Sequence, residues 1–196
     1  DGYLANYLVQ RVYTNIDKAG GISLQEAALQ GAEIYYPEES LADEIKDYYK
    51  ATSFEKEITL PDRTKKICEN LAKILETYGP KDKTIIYCVS IDHAEDVKKE
   101  LQKHFAHFGS NYAARIVAED KIDKKQLENF RDSEKTIPVV ATTVDLLTTG
   151  VDIPSAKNIV FLRTLSSVVL FNQIIGRGTR IDETSNKYFF RIIDYS

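Results

Sequence analysis

The chain has 196 residues, of which 43% are hydrophobic and 29% charged, and its formal net charge is −4 at pH 7. This length allows one hydrophobic core with a smaller appendage, and this composition excludes disorder. The sequence contains neither a signal peptide nor the roughly eighteen consecutive apolar residues of a membrane span, so we expect a cytoplasmic protein with no membrane partner.

The first sixty residues show no single sustained hydrophobic period. The alternation in YLVQRVYT predicts a strand, and the mixture of glycines, acidic clusters and tyrosines after it predicts an insertion or lid. Within that insertion we expect short helices over Leu24–Leu29 and Leu41–Lys50. We therefore assign residues 1–60 to a lead-in strand and a partly helical insertion, and residues 61–196 to the main domain.

The main domain opens with a regular pattern from Arg63 onward. RTKKICENLAKILETYG has the spacing of an amphipathic helix, and KTIIYCVS is the continuous apolar run of a strand buried on both faces. Asp92 is the expected N-cap of the next helix, with Glu95 as its capping-box partner. The apolar positions of that helix predict one buried face, formed by Ala94, Val97, Leu101 and Phe105.

Strand and helix patterns alternate through the rest of the chain. YAARIVA precedes KKQLENFRD, IPVVATT precedes VDLLTTG, and NIVFL precedes VVLFNQII, before a last strand in KYFFRIID. This order predicts an α/β fold, a parallel sheet with helices on both faces. Ligands of such sheets bind in the loops that follow the carboxyl ends of the strands.

Two of the loops contain residues suited to a nucleotide. Gly150 allows close backbone approach and Asp152 presents a carboxylate that suits a ribose hydroxyl. Arg177 and Arg180 lie on what we expect to be a tight glycine-bounded turn, and guanidinium groups suit a polyphosphate. We expect both loops at the same edge of the sheet. Asp152 could instead cap a turn before Pro154, and the arginines could lie on a solvated surface loop.

The segments KTIIYCVSIDHAEDV, ATTVDLLTTGVDIPSAKNIVFL and FNQIIGRGTR resemble motifs IV, V and VI of superfamily 2 helicases and translocases, in order. DGYLANYLVQRV, FEKEITLPDRTKKI and LLTTGVDIP are further similar to the motor, or restriction, subunit of type I restriction enzymes. The resemblance implies the second RecA-like domain of an ATP-driven double-stranded DNA translocase. It also implies a first RecA-like domain in the same protein, a separate nuclease domain, and methylase and specificity subunits as partners.

The resemblance further implies that this chain supplies half of an ATP site. In the family, the first RecA-like domain holds ATP and Mg²⁺ with a P-loop and an acidic motif, and no GxxxxGK[ST] pattern occurs here. Arg180 matches the arginine finger, Arg177 lies beside it, and Gln173 matches a positioning group. The nucleotide itself is expected to meet Gly150, Asp152 and Gly176. We expect no metal ligands from this chain.

The same resemblance implies contacts with the DNA backbone. Family members often place a threonine six residues before the motif V glycine, but Val144 occupies that position here. We therefore predict Thr143, with its neighbour Thr142, as the motif V contact. Ser90, after the motif IV strand, is a second predicted phosphate contact, although a strand-end cap explains it equally well. Such contacts follow the backbone without reading sequence.

Three classes of function remain open from the sequence. The first is the type I restriction motor domain, the second is a domain of another superfamily 2 DNA or RNA helicase, and the third is a nucleic-acid-binding module without ATPase activity. His104 and His107 have the spacing of zinc ligands, but we expect them to be surface residues. The absence of methionine and the strand-like start and end predict that the chain is a piece of a larger protein.

Overall fold

The computed structural model describes most of the chain, namely residues 5–34, 47–51, 54–55, 58–117, 121–146, 152–165, 167–178, 181–183 and 187–196. In chain order the helices and strands are β1 (Asn6–Arg11), α1 (Asn15–Lys18), β2 (Gly21–Ser23), α2 (Leu24–Leu29), β3 (Glu33–Ile34), β4 (Tyr48–Lys50), β5 (Ile58–Thr59), α3 (Pro61–Tyr78), β6 (Thr84–Tyr87), α4 (Ile91–His104), β7 (Ala113–Arg115), α5 (Lys121–Arg131), β8 (Val140–Thr143), β9 (Asn158–Phe161), α6 (Val168–Gly178) and β10 (Phe189–Asp194).

Six of the strands form one parallel sheet in the order β1-β10-β9-β6-β8-β7. The central strand β6 pairs with β8 on one side, where Thr84 lies opposite Val140, and with β9 on the other, where Thr84 lies opposite Asn158. β6, β8 and β9 are buried along their whole length, as expected for central strands of a parallel sheet that is covered on both faces. The predicted parallel α/β sheet is confirmed.

Helices cover both faces of this sheet, as expected. One apolar cluster joins α3 and α4 to one face, through residues such as Leu71, Leu101 and Ile86. The other cluster joins α5 and α6 to the opposite face, through Phe130, Ile174 and other residues. The predicted buried face of α4 is confirmed, because its four residues are fully shielded from solvent: Ala94, Val97, Leu101 and Phe105.

Ser90, rather than Asp92, caps helix α4. The Ser90 backbone is extended, and its hydroxyl accepts the His93 N–H at 3.1 Å. The helix thus begins one residue before the predicted cap, and Asp92 lies in its first turn. Glu95 does not close a capping box but pairs with Lys98 at 3.0 Å. A serine and an aspartate two residues apart are both good N-caps, and the end of β6 selects the earlier one.

The described residues between β1 and α3 form a small lobe, whose apolar core contains Ile22, Ala27, Tyr49, Phe54, Ile58 and Leu60. The predicted helix over Leu24–Leu29 is confirmed as α2. The predicted helix over Leu41–Lys50 is wrong at its end, since Tyr48–Lys50 is strand β4, and residues 41–46 lie outside the described residues. Tyr49 is buried between two exposed neighbours because β4 pairs with β2. β1, by contrast, belongs to the main sheet and pairs in parallel with β10.

Candidate functional site

The predicted site residues lie towards two opposite edges of the sheet. Ser90 and Thr143 are at the carboxyl ends of β6 and β8. Helix α6 leaves the carboxyl end of β9 and leads to the amino end of β10, so it runs back along the sheet face, and the arginine end of α6 lies towards the amino ends of the strands. The expectation that these two loops lie at the carboxyl edge is therefore not met by the residues that the structure describes, because the end of α6 and the Asp152–Pro154 segment both lie towards the amino ends of the strands.

The tight turn predicted to begin at Gly176 does not begin there. Helix α6 continues through Gly176 and Arg177 to Gly178. Ile174 and Ile175 of α6 are buried against the sheet, and this packing outweighs the roughly 1 kcal/mol that a glycine costs in a helix. Gln173 and Gly176 are exposed on the helix surface. The side chain of Arg177, and all of Arg180, lie outside the described residues, so the structure does not locate their charges.

Gly176 has open space beside it. A Cβ atom added to this residue would meet no other heavy atom within 4 Å. Packing inside the described part of the domain therefore does not require a glycine here. Gln173 and Gly176, three residues apart on α6, are both exposed.

Lys187, a residue that the sequence did not single out, links the Asp152–Pro154 segment to Asp182, which follows the arginine motif. The Lys187 ammonium group is completely buried and donates to the Pro154 carbonyl oxygen at 2.8 Å. The Lys187 backbone pairs in both directions with Asp182, two residues beyond Arg180. Burial lowers the pKa of Lys187 to about 8, against the opposing effect of Asp182 and Asp152. Lys187 thus joins the end of motif V to the segment that follows motif VI.

Gly150 lies outside the described residues, whereas Asp152 is half-buried. The structure does not bear on the alternative that Asp152 only caps a turn. The structure brings the Asp152–Pro154 segment close to the bridge between Asp182 and Lys187, near the amino ends of β9 and β10. No sequence signal marks Lys187, because a lysine before a strand is ordinarily exposed.

The predicted DNA contacts at the carboxyl edge differ in accessibility. Ser90 is partly exposed, and its hydroxyl already serves as the cap of α4. The Thr142 hydroxyl is completely buried and donates to the Ala94 carbonyl oxygen at 2.8 Å, so it holds α4 against the sheet. Thr143 is also buried, and among the described residues its hydroxyl has no hydrogen-bond partner. Ser90 is therefore the most accessible of the three.

A second group that the sequence did not single out lies at the same carboxyl edge. Arg63, at the start of α3, is buried and donates to Asp17 Oδ1 at 3.0 Å from Nη2 and at 3.3 Å from Nε. Its Nη2 also reaches the Tyr195 carbonyl oxygen at 3.4 Å, and its guanidinium lies 5.2 Å from the centre of the Phe54 ring. Arg63 thus connects the small lobe to the end of β10. A cavity of about 130 Å³ lies beside it, between the lobe and the residues after β6 and β9.

Two titratable side chains are buried near Arg63. Burial raises the pKa of Glu55 to about 7, although the Arg63 charge opposes this shift. Burial, with Arg63 acting in the same direction, lowers the pKa of His93 to about 4. His93 accepts the Val89 N–H through Nδ1 at 3.3 Å, in the first turn of α4. Both residues are part of the packing beneath the cavity.

Glu55→Gln should raise the free energy of unfolding of this chain by up to about 3 kcal/mol at pH 8 and change it little at pH 4.5. The folded-state pKa of Glu55 is raised from 4.5 to about 7, so this glutamate contributes stability below pH 4.5 that is lost as the pH rises through 7. The His93 contribution has the opposite sign but is common to both proteins. Urea unfolding at several pH values measures the difference, with the exposed Glu76→Gln as control. A difference that does not change with pH would contradict the prediction.

The two cysteines, Cys68 and Cys88, are buried free thiols. Burial raises the pKa of Cys68 to about 12 and also raises the pKa of Cys88. Both are therefore protonated near neutral pH and poor nucleophiles.

His104 is the last residue of α4, and His107 lies in the 3-10 turn that follows this helix. Within the described residues, no three or more His, Cys, Asp or Glu side chains are grouped so as to hold a metal ion.

The sheet order, the crossover helix and the ordered motifs define a RecA-like helicase domain. The sequence matches the helicase conserved C-terminal domain family over residues 63–182, and the chain belongs to that family. The RecA-like fold expected from the motifs is thereby confirmed. No helix among the residues that the structure describes is long and apolar enough to cross a membrane.

The similarity extends to type I restriction enzymes, as the sequence predicts. The chain is 36% identical over its whole length to the type I restriction enzyme EcoAI endonuclease subunit of Escherichia coli. A structure described as an HsdR-subunit fragment of a type I restriction enzyme from Vibrio vulnificus YJ016 superposes on the whole chain with a TM-score of 0.73 and 31% identity. The chain spans 23% of the first relative and 32% of the second. Domain 2 of the DEAD-box helicase Mss116p shares only the fold, with a TM-score of 0.53 over 69% of this chain and 50% of that one, at 14% identity.

Proposed function

We propose that this chain is the second RecA-like motor domain of an ATP-dependent double-stranded DNA translocase, within the restriction subunit of a type I restriction–modification enzyme. The observation that carries the proposal is the contact made by Lys187, which links the Asp152–Pro154 segment to Asp182, two residues after the arginine motif. Two motifs that act on one nucleotide must lie close together. Identity above 30% to two proteins of type I enzymes favours this function over another superfamily 2 helicase.

The proposed ATP site is shared between two domains. The first RecA-like domain holds most of ATP and its Mg²⁺ ion, and this chain completes the site from the other side of a cleft. Arg180 acts as the arginine finger, with Arg177 on the phosphates and Gln173 in a positioning role, while Gly150 and Asp152 meet the sugar. The exposure of Gln173, and the open space at Gly176, fit a surface that receives a nucleotide held elsewhere.

The proposed DNA surface is at the carboxyl edge of the sheet. Ser90 contacts a backbone phosphate there. Thr143 and Thr142 remain candidate contacts from the motif V strand, although both are buried in this structure. In the full protein, working in the cytoplasm, we expect methylase and specificity subunits to select the DNA site and this domain to track the backbone.

The test of the proposed function compares the full-length protein with this chain alone. We expect the full-length protein to hydrolyse ATP when double-stranded DNA is added and to displace a third strand from a duplex as it translocates. The 196-residue chain should neither hydrolyse ATP above a buffer blank nor bind it tightly, since it has no phosphate-binding loop. Turnover by this chain alone, or a full-length protein that ignores duplex DNA, would contradict the proposal.

Substitutions at Ser90 separate its capping role from a DNA contact. Aspartate and asparagine both cap helices well, so Ser90→Asp and Ser90→Asn should each keep α4 intact. The carboxylate should repel a phosphate, so we expect Ser90→Asp to weaken duplex binding about tenfold, while Ser90→Asn binds like the unchanged protein. Binding should be independent of sequence and fall steeply with salt, because a few phosphates are neutralised. Titrations of two unrelated duplexes at two salt concentrations test this. Equal binding by both variants would show that Ser90 is only a cap.

A further inference from the structure

A cavity of about 170 Å³ at the amino edge of the sheet is lined almost entirely by cationic and hydroxyl side chains. We define it as the lysine pocket, formed by Lys81, Lys83, Lys135, Lys157 and Ser155. Its volume is roughly ten times what one buried water molecule needs. Lys83 and Lys157 immediately precede β6 and β9, so the lysine pocket lies at the opposite end of the strands from Ser90.

The lysine pocket carries excess positive charge in a chain whose net charge is negative. Asp82 is held between two cations, Lys157 Nζ at 3.1 Å and Arg191 Nη1 at 3.6 Å. Lys83 is buried and donates to the carbonyl oxygens of Phe130 and Asp132, which are neutral acceptors.

Lys135 likewise donates to a neutral group, Asn129 Oδ1, and Lys81 is exposed. Among the lining residues, the four lysines outnumber the single carboxylate, which is that of Asp82. The charge that remains favours an anionic ligand.

Ser155 gives a second and independent indication of a ligand. Its side chain lines the lysine pocket, only 5% of the residue is exposed, and among the described residues its hydroxyl has no hydrogen-bond partner. Buried hydroxyl groups without partners are uncommon in native proteins because they lower stability. A buried hydroxyl in a cavity lined by lysines matches the donors that bind the oxygens of a phosphate.

We propose that the lysine pocket binds a phosphate group. The lysine ammonium groups supply charge, Ser155 supplies a hydroxyl donor, and Thr136 also lines the cavity. Ser155 follows Asp152 in the same loop, so an occupied lysine pocket would fix the segment that carries Asp152. This proposal is independent of the function proposed for the domain, since it depends only on residues around the cavity. The phosphate belongs either to a small free anion or to a nucleic-acid backbone.

Hydrogen–deuterium exchange on the full-length protein tests the proposal. Inorganic phosphate, compared with chloride at equal ionic strength, should slow exchange in peptides that cover residues 132–138 and 153–158. Lys135→Gln and Ser155→Ala should each raise the phosphate concentration needed for this protection by about tenfold, since hydrogen bonds to charged groups have this magnitude. Lys66→Gln removes a positive charge from the exposed face of α3 and should leave the protection unchanged.

Ser155→Ala also distinguishes a binding role from a packing role. It removes a buried hydroxyl that has no partner among the described residues, so exchange in the absence of phosphate should not become faster, although protection needs about ten times more phosphate. Protection by a short duplex at lower concentrations than phosphate would assign the site to a nucleic-acid backbone, and protection by phosphate alone would assign it to a free anion. The proposal would be overturned if neither phosphate nor the duplex slowed exchange. It would also be overturned if Ser155→Ala and Lys135→Gln were protected at the same phosphate concentration as the unchanged protein.

Discussion

Arg180→Ala in the full-length protein should lower ATP turnover by about 10³ or more, equivalent to about 4 kcal/mol of activation free energy. Affinity for ATP should stay within a few fold, because the other RecA-like domain holds most of the nucleotide in the proposed site. An arginine finger stabilises charge that develops on the transferred phosphoryl group, so its loss affects turnover more than binding. Turnover and nucleotide affinity should be measured on the same folded variant.

Arg180→Lys should be almost as inactive as Arg180→Ala. Lysine keeps the positive charge but loses the planar fork that spans two phosphate oxygens. Arg131→Ala is the matched control, since Arg131 is an exposed arginine in the last turn of α5 and its loss should leave turnover unchanged. A lysine variant that turns over ATP near the original rate would exclude Arg180 as the finger.

The sequence predicts the main domain well because each of its elements has a local cause. The central strands are buried on both faces and appear as continuous apolar runs, and α3 and α4 show their buried stripes at helical spacing. The motifs likewise consist of neighbouring residues. This local information was sufficient to predict the parallel sheet and to place the chain in its helicase family.

Sequence patterns do not predict the parts of the structure that depend on contacts between residues far apart in the chain. Arg63 and Asp17 are 46 positions apart, and Lys187 and Pro154 are 33 positions apart, so no spacing pattern joins them. β4 forms because β2 is beside it, although its tyrosines follow a helix-like acidic stretch. The edge on which the arginine motif lies depends on the direction of α6, which follows from the whole strand order rather than from the motif.

Arg63→Met should destabilise the attachment of the small lobe by about 3–5 kcal/mol, the usual effect of removing one partner of a buried ion pair. Asp17 would remain largely buried, with its side chain only 11% exposed, and without the guanidinium that now lies 3.0 Å from its Oδ1. Asp17 also accepts the Thr14 N–H and hydroxyl as the capping box of α1, so it cannot simply turn towards solvent. The contacts of Arg63 with Tyr195 and the Phe54 ring would be lost as well.

Arg11→Met is the matched control for this prediction, because Arg11 also pairs with an aspartate, Asp194, at 3.4 Å, but its side chain is 68% exposed. An exposed pair contributes between zero and about 1 kcal/mol, so Arg11→Met should change stability little. Hydrogen exchange resolves where the loss occurs. The small lobe has its own apolar core and is joined to the sheet through Arg63, so amides of β2 and β4 should exchange faster in Arg63→Met, while those of α4 and β6 change less. If exchange in the lobe is as slow in Arg63→Met as in Arg11→Met, the buried pair does not hold the lobe, and its apolar contacts do.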